Sequence, residues 1–137
     1  MILFSIEEEL KFPEFAKWHP TILIIDNEEG LRKVIEEMFS TLGCKVYSAE
    51  NGKEGLEIYK TYDIFDLVIL DIQVPIMNGK TAFGEIRRIN PEQKILIISG
   101  YVDVEDLDDL IKSGADGLLK KPFSMYKIIG KVKDIIF

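Results

Sequence analysis

Leu67-Val68-Ile69-Leu70-Asp71 decides how this chain reads: an apolar run of strand length closed by a carboxylate. The pattern recurs upstream in Thr21-Ile22-Leu23-Ile24-Ile25, followed by Asp26-Asn27. It returns downstream in Gly117-Leu118-Leu119, followed by Lys120-Lys121-Pro122. Runs of this length, rich in Ile, Leu or Val and ended by polar or turn residues, read as buried strands. One carboxylate at a strand end carries little information. Two carboxylates and a lysine at the ends of three such strands imply charges gathered at one edge of a parallel sheet, where open α/β sheets place their chemistry.

After residue 20, short apolar runs alternate with segments whose apolar residues recur at three and four. Strands are predicted over Thr21–Asp26, Lys45–Ser48, Leu67–Asp71, Lys94–Ser99 and Gly117–Lys120. The first helix is the stripe Leu31, Val34, Ile35, Met38, Phe39 and Leu42, stopped by Gly43. The second covers Asn51–Tyr62, capped by Asn51, with Leu56 and Tyr59 inward; the third covers Thr81–Ile89 and ends before Pro91. The fourth, Val104–Lys112, is capped by Asp103 and closed by Ser113-Gly114. The fifth carries Met125, Ile128, Ile129, Val132, Ile135 and Ile136 behind a Ser124 cap. This (βα)5 pattern implies an α/β domain with a parallel sheet covered on both faces. The most apolar strands, the first, third and fourth, take the central places. A doubly wound five-stranded sheet of order 2-1-3-4-5 makes Asp26 and Asp71 neighbours at its crevice.

Residues 1–19 form an N-terminal extension to a domain over residues 20–137. Ser5-Ile6-Glu7-Glu8 has the form of a capping box, so a short helix to about Lys11 is expected, stopped by Pro13. Phe4, Phe12, Phe15 and Trp18 suggest an arm packed on its own domain; the alternative is a contact surface for a partner or a second copy.

With 137 residues the chain has room for one full core. A net charge of −7 and a pI of about 4.8 repel nucleic acid and anionic membranes. The single cysteine, Cys44, allows no internal disulfide and fits a cytoplasmic location. No apolar run approaches the roughly 18 residues that span a bilayer. Glu7-Glu8-Glu9 after the apolar start, with no basic residue before them, exclude a secretory signal.

Ile22-Leu23-Ile24-Ile25-Asp26-Asn27-Glu28, Asp71-Ile72-Gln73-Val74-Pro75-Ile76-Met77-Asn78-Gly79, Ile97-Ile98-Ser99-Gly100 and Lys121-Pro122-Phe123 follow one another along the chain. They resemble the marker segments of the response-regulator receiver domain, the phosphoacceptor module of two-component signalling. The resemblance covers roughly residues 20–137 and implies a flavodoxin-like fold. It makes Asp71 the phosphoacceptor for a phosphoryl group from a sensor histidine kinase or phosphotransfer protein. A carboxylate can attack a phosphoryl group and hold it as an acyl phosphate. The transition state is electron-rich, so catalysis is mostly placement and charge neutralisation. The plainer role for Asp71 is to cap the turn before Pro75.

The resemblance also implies Mg2+, held by Asp26, Asn27, Asp71 and the backbone carbonyl of Gln73. Mg2+ favours one or two carboxylates, several waters and the substrate phosphate. The family usually has a second acid where this chain has Asn27. An amide oxygen brings no charge, so weaker binding is expected, by at least the roughly 10–100-fold typical of losing an outer partner. Glu28 follows directly and offers a carboxylate, although the next residue on a turn need not point the same way. Lys121 would reach the phosphate as a point charge, before a Lys121–Pro122 bond that the family holds cis. Ser99 takes the place of the family's hydroxyl donor, and Gly100 leaves space beside it.

By family position, Gln73 and Tyr101 flank the path of the hydrolytic water. Tyr101 lying over Ser99 would slow hydrolysis. The family's aromatic residue three before the lysine is Leu118 here, which leaves the coupling from Ser99 open. The output face would be the fourth helix, fifth strand and fifth helix, binding a downstream protein. Asp103, Glu105, Asp106, Asp108 and Asp109 make the fourth helix acidic, either as a solvated face or as a surface for a basic partner or the Lys127, Lys131 and Lys133 of a second copy.

Three readings follow. The first is a phosphorylatable receiver, not an enzyme beyond its own phosphorylation and dephosphorylation. The second is a degenerate receiver, an interaction module independent of phosphate, which Asn27 and Leu118 favour. The third is an enzyme on the same topology. A flavin protein would need a phosphate-cradling loop where Asp26-Asn27-Glu28-Glu29 stands. An aspartate-nucleophile phosphatase would need an acid where Gln73 stands.

Overall fold

Side chains alternate between the two faces of the sheet along the central strands, and both faces are buried. The computed structural model describes residues 11–62, 64–74, 76–100 and 104–137, the side chains of 104–107 excepted. In chain order the elements are α1 (Pro13–Trp18), β1 (Thr21–Ile25), α2 (Glu29–Leu42), β2 (Lys45–Ala49), α3 (Gly52–Tyr62), β3 (Leu67–Asp71), α4 (Gly79–Ile89), β4 (Ile95–Ser99), α5 (Val104–Lys112), β5 (Gly117–Lys120) and α6 (Met125–Ile136). The strands form one sheet in the order β2-β1-β3-β4-β5, every pairing parallel.

Ile22, Ile24, Leu67, Ile69, Leu96 and Ile98 point to one face, where Phe15, Met38, Phe39, Ile128 and Val132 from α1, α2 and α6 cover them. Leu23, Ile25, Val68, Leu70, Ile95 and Ile97 point to the other, under Leu56, Tyr59, Phe83, Ile86 and Leu110 from α3, α4 and α5. Strands with two buried faces can be continuously apolar, which is why β1, β3 and β4 read as unbroken runs. Within the second layer, the Tyr59 hydroxyl donates to Gln93 Oε1 at 2.8 Å, and Gln93 Nε2 donates to the Phe65 carbonyl at 3.0 Å. The buried amide is thereby satisfied.

At the far edge of the sheet, Arg87 contacts Asp116 at 3.3 Å and the Gly114 carbonyl at 2.6 Å. Asp116 Oδ2 in turn accepts from the Ile95 amide at 2.8 Å, so this edge is clamped.

Some boundaries differ from expectation. Pro13 opens a helix instead of only stopping one: it occupies the first turn of α1, where its missing N–H removes no bond. The short helix expected to about Lys11 falls, apart from Lys11 itself, on residues outside the described ones, as does the Asp103 cap. Helix α4 begins two residues before the expected Thr81, because Asn78 Oδ1 caps the Thr81 amide at 2.9 Å. Asn51 caps α3 through the Glu54 amide and Ser124 caps α6 through the Lys127 amide.

Candidate functional site

Parallel strands end together, so residues far apart in sequence meet at one rim. Asp26 follows β1, Asp71 ends β3, Ser99 ends β4 and Lys121 follows β5. Register fixes their heights: Ile25 pairs with Leu70, Asp71 with Ile98 and Ser99 with Lys120. The Lys121 amide then donates to the Ser99 carbonyl at 2.7 Å.

The two carboxylates are held alike. Asp26 Oδ1 accepts from the Glu28 amide at 2.8 Å, and Asp71 Oδ1 accepts from the Gln73 amide at 2.8 Å. Each is an Asx turn, the local device by which a strand-end Asp reverses the chain. Both second oxygens face one ammonium: Lys121 Nζ stands 2.9 Å from Asp26 Oδ2 and 2.9 Å from Asp71 Oδ2. It hydrogen-bonds Asp71. Asp26 Oδ2 is buried, with the Lys121 ammonium as its contact. Glu28 Oε1 lies 3.8 Å from the same ammonium.

Burial raises the Asp26 pKa above the ordinary carboxylate value, against the opposing pull of the Glu28 amide and Lys121; the charge of Asp71 adds to the rise. Burial of Lys121 disfavours its charge, but the two carboxylates outweigh this and its pKa rises. The site therefore holds one ammonium firmly charged between two acids.

Two glycines set the loop after β3. A Cβ on Gly79 would stand 2.2 Å from Ile72 Cα, and one on Gly52 would stand 2.0 Å from the Met77 carbonyl oxygen. Between them Ile76 has a φ of 69° and a side chain 78% exposed, a strained setting for a β-branched residue.

The remaining candidates surround this centre. Ser99 is fully buried, and Asn27 and Gln73 are exposed. A Cβ on Gly100 would stand 3.6 Å from Gln73 Oε1 and 3.8 Å from Lys121 Cδ, so a methyl would fit there. The Lys121–Pro122 bond is cis. Leu118 is partly buried against the α3/α4 layer. Tyr101 lies outside the described residues. A cavity of about 400 Å3 opens beside Lys121, lined by Glu28, Leu31, Gly100, Pro122 and Phe123. The sequence reading missed Arg32, whose Nη1 donates to the Asp26 carbonyl at 2.8 Å and ties α2 to the rim. Its position one helical turn beyond Glu28 was the available signal.

The family model of the response regulator receiver domain matches residues 22–133. This chain belongs to that family. The receiver is 32% identical over 115 residues to the chemotaxis protein CheY of Halobacterium salinarum, covering 84% of this chain and 95% of that protein. It is 34% identical over 106 residues to the autoinducer 1 sensor kinase/phosphatase LuxN of Vibrio campbellii, covering 77% of this chain but 12% of that protein's length. Among solved structures, it superposes with a TM-score of 0.80 and 26% identity on a chain of the CheX–CheY–BeF3–Mg2+ complex from Borrelia burgdorferi, covering 85% of this chain and 89% of that one. Receiver domains are signalling modules of two-component systems, not classical enzymes, and they interact with histidine kinases and downstream effectors. Among the described residues no helix is long and apolar enough to cross a membrane.

Receivers generally bind Mg2+ in their acidic pocket. The residues here fit such an ion. Asp26 Oδ2 is a buried carboxylate oxygen whose contact is the Lys121 ammonium, and Asp71 Oδ2 lies on the same cation. Among the described residues no three acidic, His or Cys side chains gather closely enough to enclose a metal. A two-carboxylate set suits Mg2+, which keeps several of its waters.

Proposed function

We propose that this chain is a phosphorylatable receiver, taking a phosphoryl group from a histidine kinase or phosphotransfer protein onto Asp71. The reading is carried by one observation: Asp26 Oδ2 and Asp71 Oδ2, from neighbouring strands, both lie 2.9 Å from Lys121 Nζ. A carboxylate oxygen of Asp71 attacks phosphorus; the P–O bond forms as the donor's P–N bond breaks, and the imidazole leaves with the electron pair. The Gln73 amide, 2.8 Å from Asp71 Oδ1, fixes the plane of the nucleophile. Lys121 balances the charge of the incoming phosphoryl oxygens. Ser99, at the end of β4, donates its hydroxyl to one of them. Asp26, Asn27, Asp71 and the Gln73 carbonyl would hold Mg2+, which would supply further charge neutralisation. The Borrelia burgdorferi complex, which contains BeF3 and Mg2+, supports Mg2+ as the ion by analogy.

Gln73, Gly100 and Tyr101 tune access of water, and the face of α5, β5 and α6 passes the signal to a downstream protein or a second copy. Location in the cytoplasm follows from such partners. Residues 1–19 serve as an extension to this domain.

The neutral, exposed Asn27 favours a second reading, an interaction module that works without phosphate. Incubation with acetyl phosphate and Mg2+ followed by intact-mass measurement separates the two. The first reading expects a gain of one phosphoryl group, lost in Asp71→Asn. No gain in the parent protein overturns it in favour of the second.

A further inference from the structure

Lys121 marks where the field of the pocket converges, and three carboxylates face its ammonium. Asp26 and Asp71 stand at 2.9 Å, and Glu28 Oε1 at 3.8 Å. The turn at Asp26 brings Glu28 there, because the Glu28 amide is the donor to Asp26 Oδ1 at 2.8 Å. Glu28 precedes α2 at its cap position, yet its side chain makes no capping hydrogen bond. The carboxylate is 64% exposed and meets the pocket at Lys121 Nζ, 3.8 Å away. Asn27 between the two acids is neutral and exposed.

Charge balance then decides the role. Asp26 and Asp71 against Lys121 leave one negative charge for a divalent cation. Glu28 raises it to two, and Asp26 Oδ2, buried at the rim beside Lys121, offers the inner ligand. Resting on the receiver reading above, we propose that Glu28 is this chain's third metal-site acid. It acts through a cation-bound water and supplies the charge that Asn27 does not. Mg2+ keeps several waters when bound to one or two carboxylates, so an exposed acid beyond direct contact can still hold it.

The test is calorimetric titration of the full chain with Mg2+ alone, without any phosphodonor. Glu28→Gln is expected to weaken binding about tenfold. Glu29→Gln, on the neighbouring acid that pairs with Lys33 at 3.0 Å, is expected to change it less than twofold. In an Asn27→Asp background the loss from Glu28→Gln is expected to shrink, because the missing charge has been restored next door. Far-ultraviolet circular dichroism checks that each variant is folded. Unchanged affinity in Glu28→Gln, or an equal loss in Glu29→Gln, overturns the proposal while leaving the receiver reading intact. Absence of Mg2+ binding in the parent, or binding that survives Asp26→Asn undiminished, overturns the metal site itself and the proposal with it.

Discussion

Lys121 Nζ donates to Asp71 Oδ2 at 2.9 Å across 50 positions of sequence, while standing equally close to Asp26 Oδ2. One ammonium thus keeps two buried like charges together. In metal-free buffer Lys121→Met is expected to destabilise the fold by about 3 kcal/mol, the scale of removing one partner from a buried ion pair. Mg2+ should recover part of that loss, since a divalent ion can replace the missing cation. Urea unfolding with chelator and with Mg2+ measures both, and equal midpoints for parent and variant in chelator would contradict it.

Asp26 is fully buried and its pKa is raised, so ionising it opposes folding. The sign follows from linkage. The folded state keeps the proton longer than the unfolded state, so stability falls as pH rises above about 4 and the loss stays in place at neutral pH. Asp26→Asn should remove this fall and stabilise the protein at pH 7 by about 1 kcal/mol, a gain of the kind expected at strained functional sites. Chemical denaturation from pH 3 to 7 should show the two proteins converging at the acid end. A gap that widens toward acid would contradict the sign.

Ile76 adopts a φ of 69° with its side chain mostly in solvent. A non-glycine residue in the left-handed region costs about 1–2 kcal/mol, and exposure returns nothing for it. Ile76→Asn is expected to raise stability by about 0.5–1 kcal/mol, since Asn tolerates that conformation. A calorimetric melting temperature a few degrees above the parent's checks it; a lower one would show that the isoleucine makes an unrecognised contact.

Phe15 is fully buried between Phe39, at 5.9 Å, and Phe137, at 5.1 Å, whereas Trp18 in the same helix is 63% exposed. Phe15→Ala is therefore expected to cost about 3–5 kcal/mol. Trp18→Ala should stay within about 0.5 kcal/mol. Equilibrium unfolding of both variants separates a filled core position from a surface ring.

The sheet was legible because its three central strands carry one apolar residue at nearly every position, which only a layer buried on both faces permits. Asp26, Asp71, Ser99 and Lys121 were legible as a group because parallel strands end on one rim. Other features escaped. The close approach of Gly79 to Ile72 behind the Asn78 cap depends on tertiary packing, and α1 on the place Phe15 takes in the core. Neither is a periodicity. The aim of Glu28 needed coordinates too, since turn geometry decides whether consecutive residues face the same way. Gln93, buried and satisfied by Tyr59 and Phe65, carries no periodicity signal of its own.

The seam formed by Phe12, Phe15, Phe39 and Phe137 has a practical consequence. Glu14 closes it with Lys133 at 3.2 Å. A fragment trimmed to residues 22–133, the span shared with the family at large, would lose rings from both ends and leave Phe39 facing water. Trimming to that span is expected to lower stability, since the loss of the Phe15 ring alone is expected to cost about 3–5 kcal/mol.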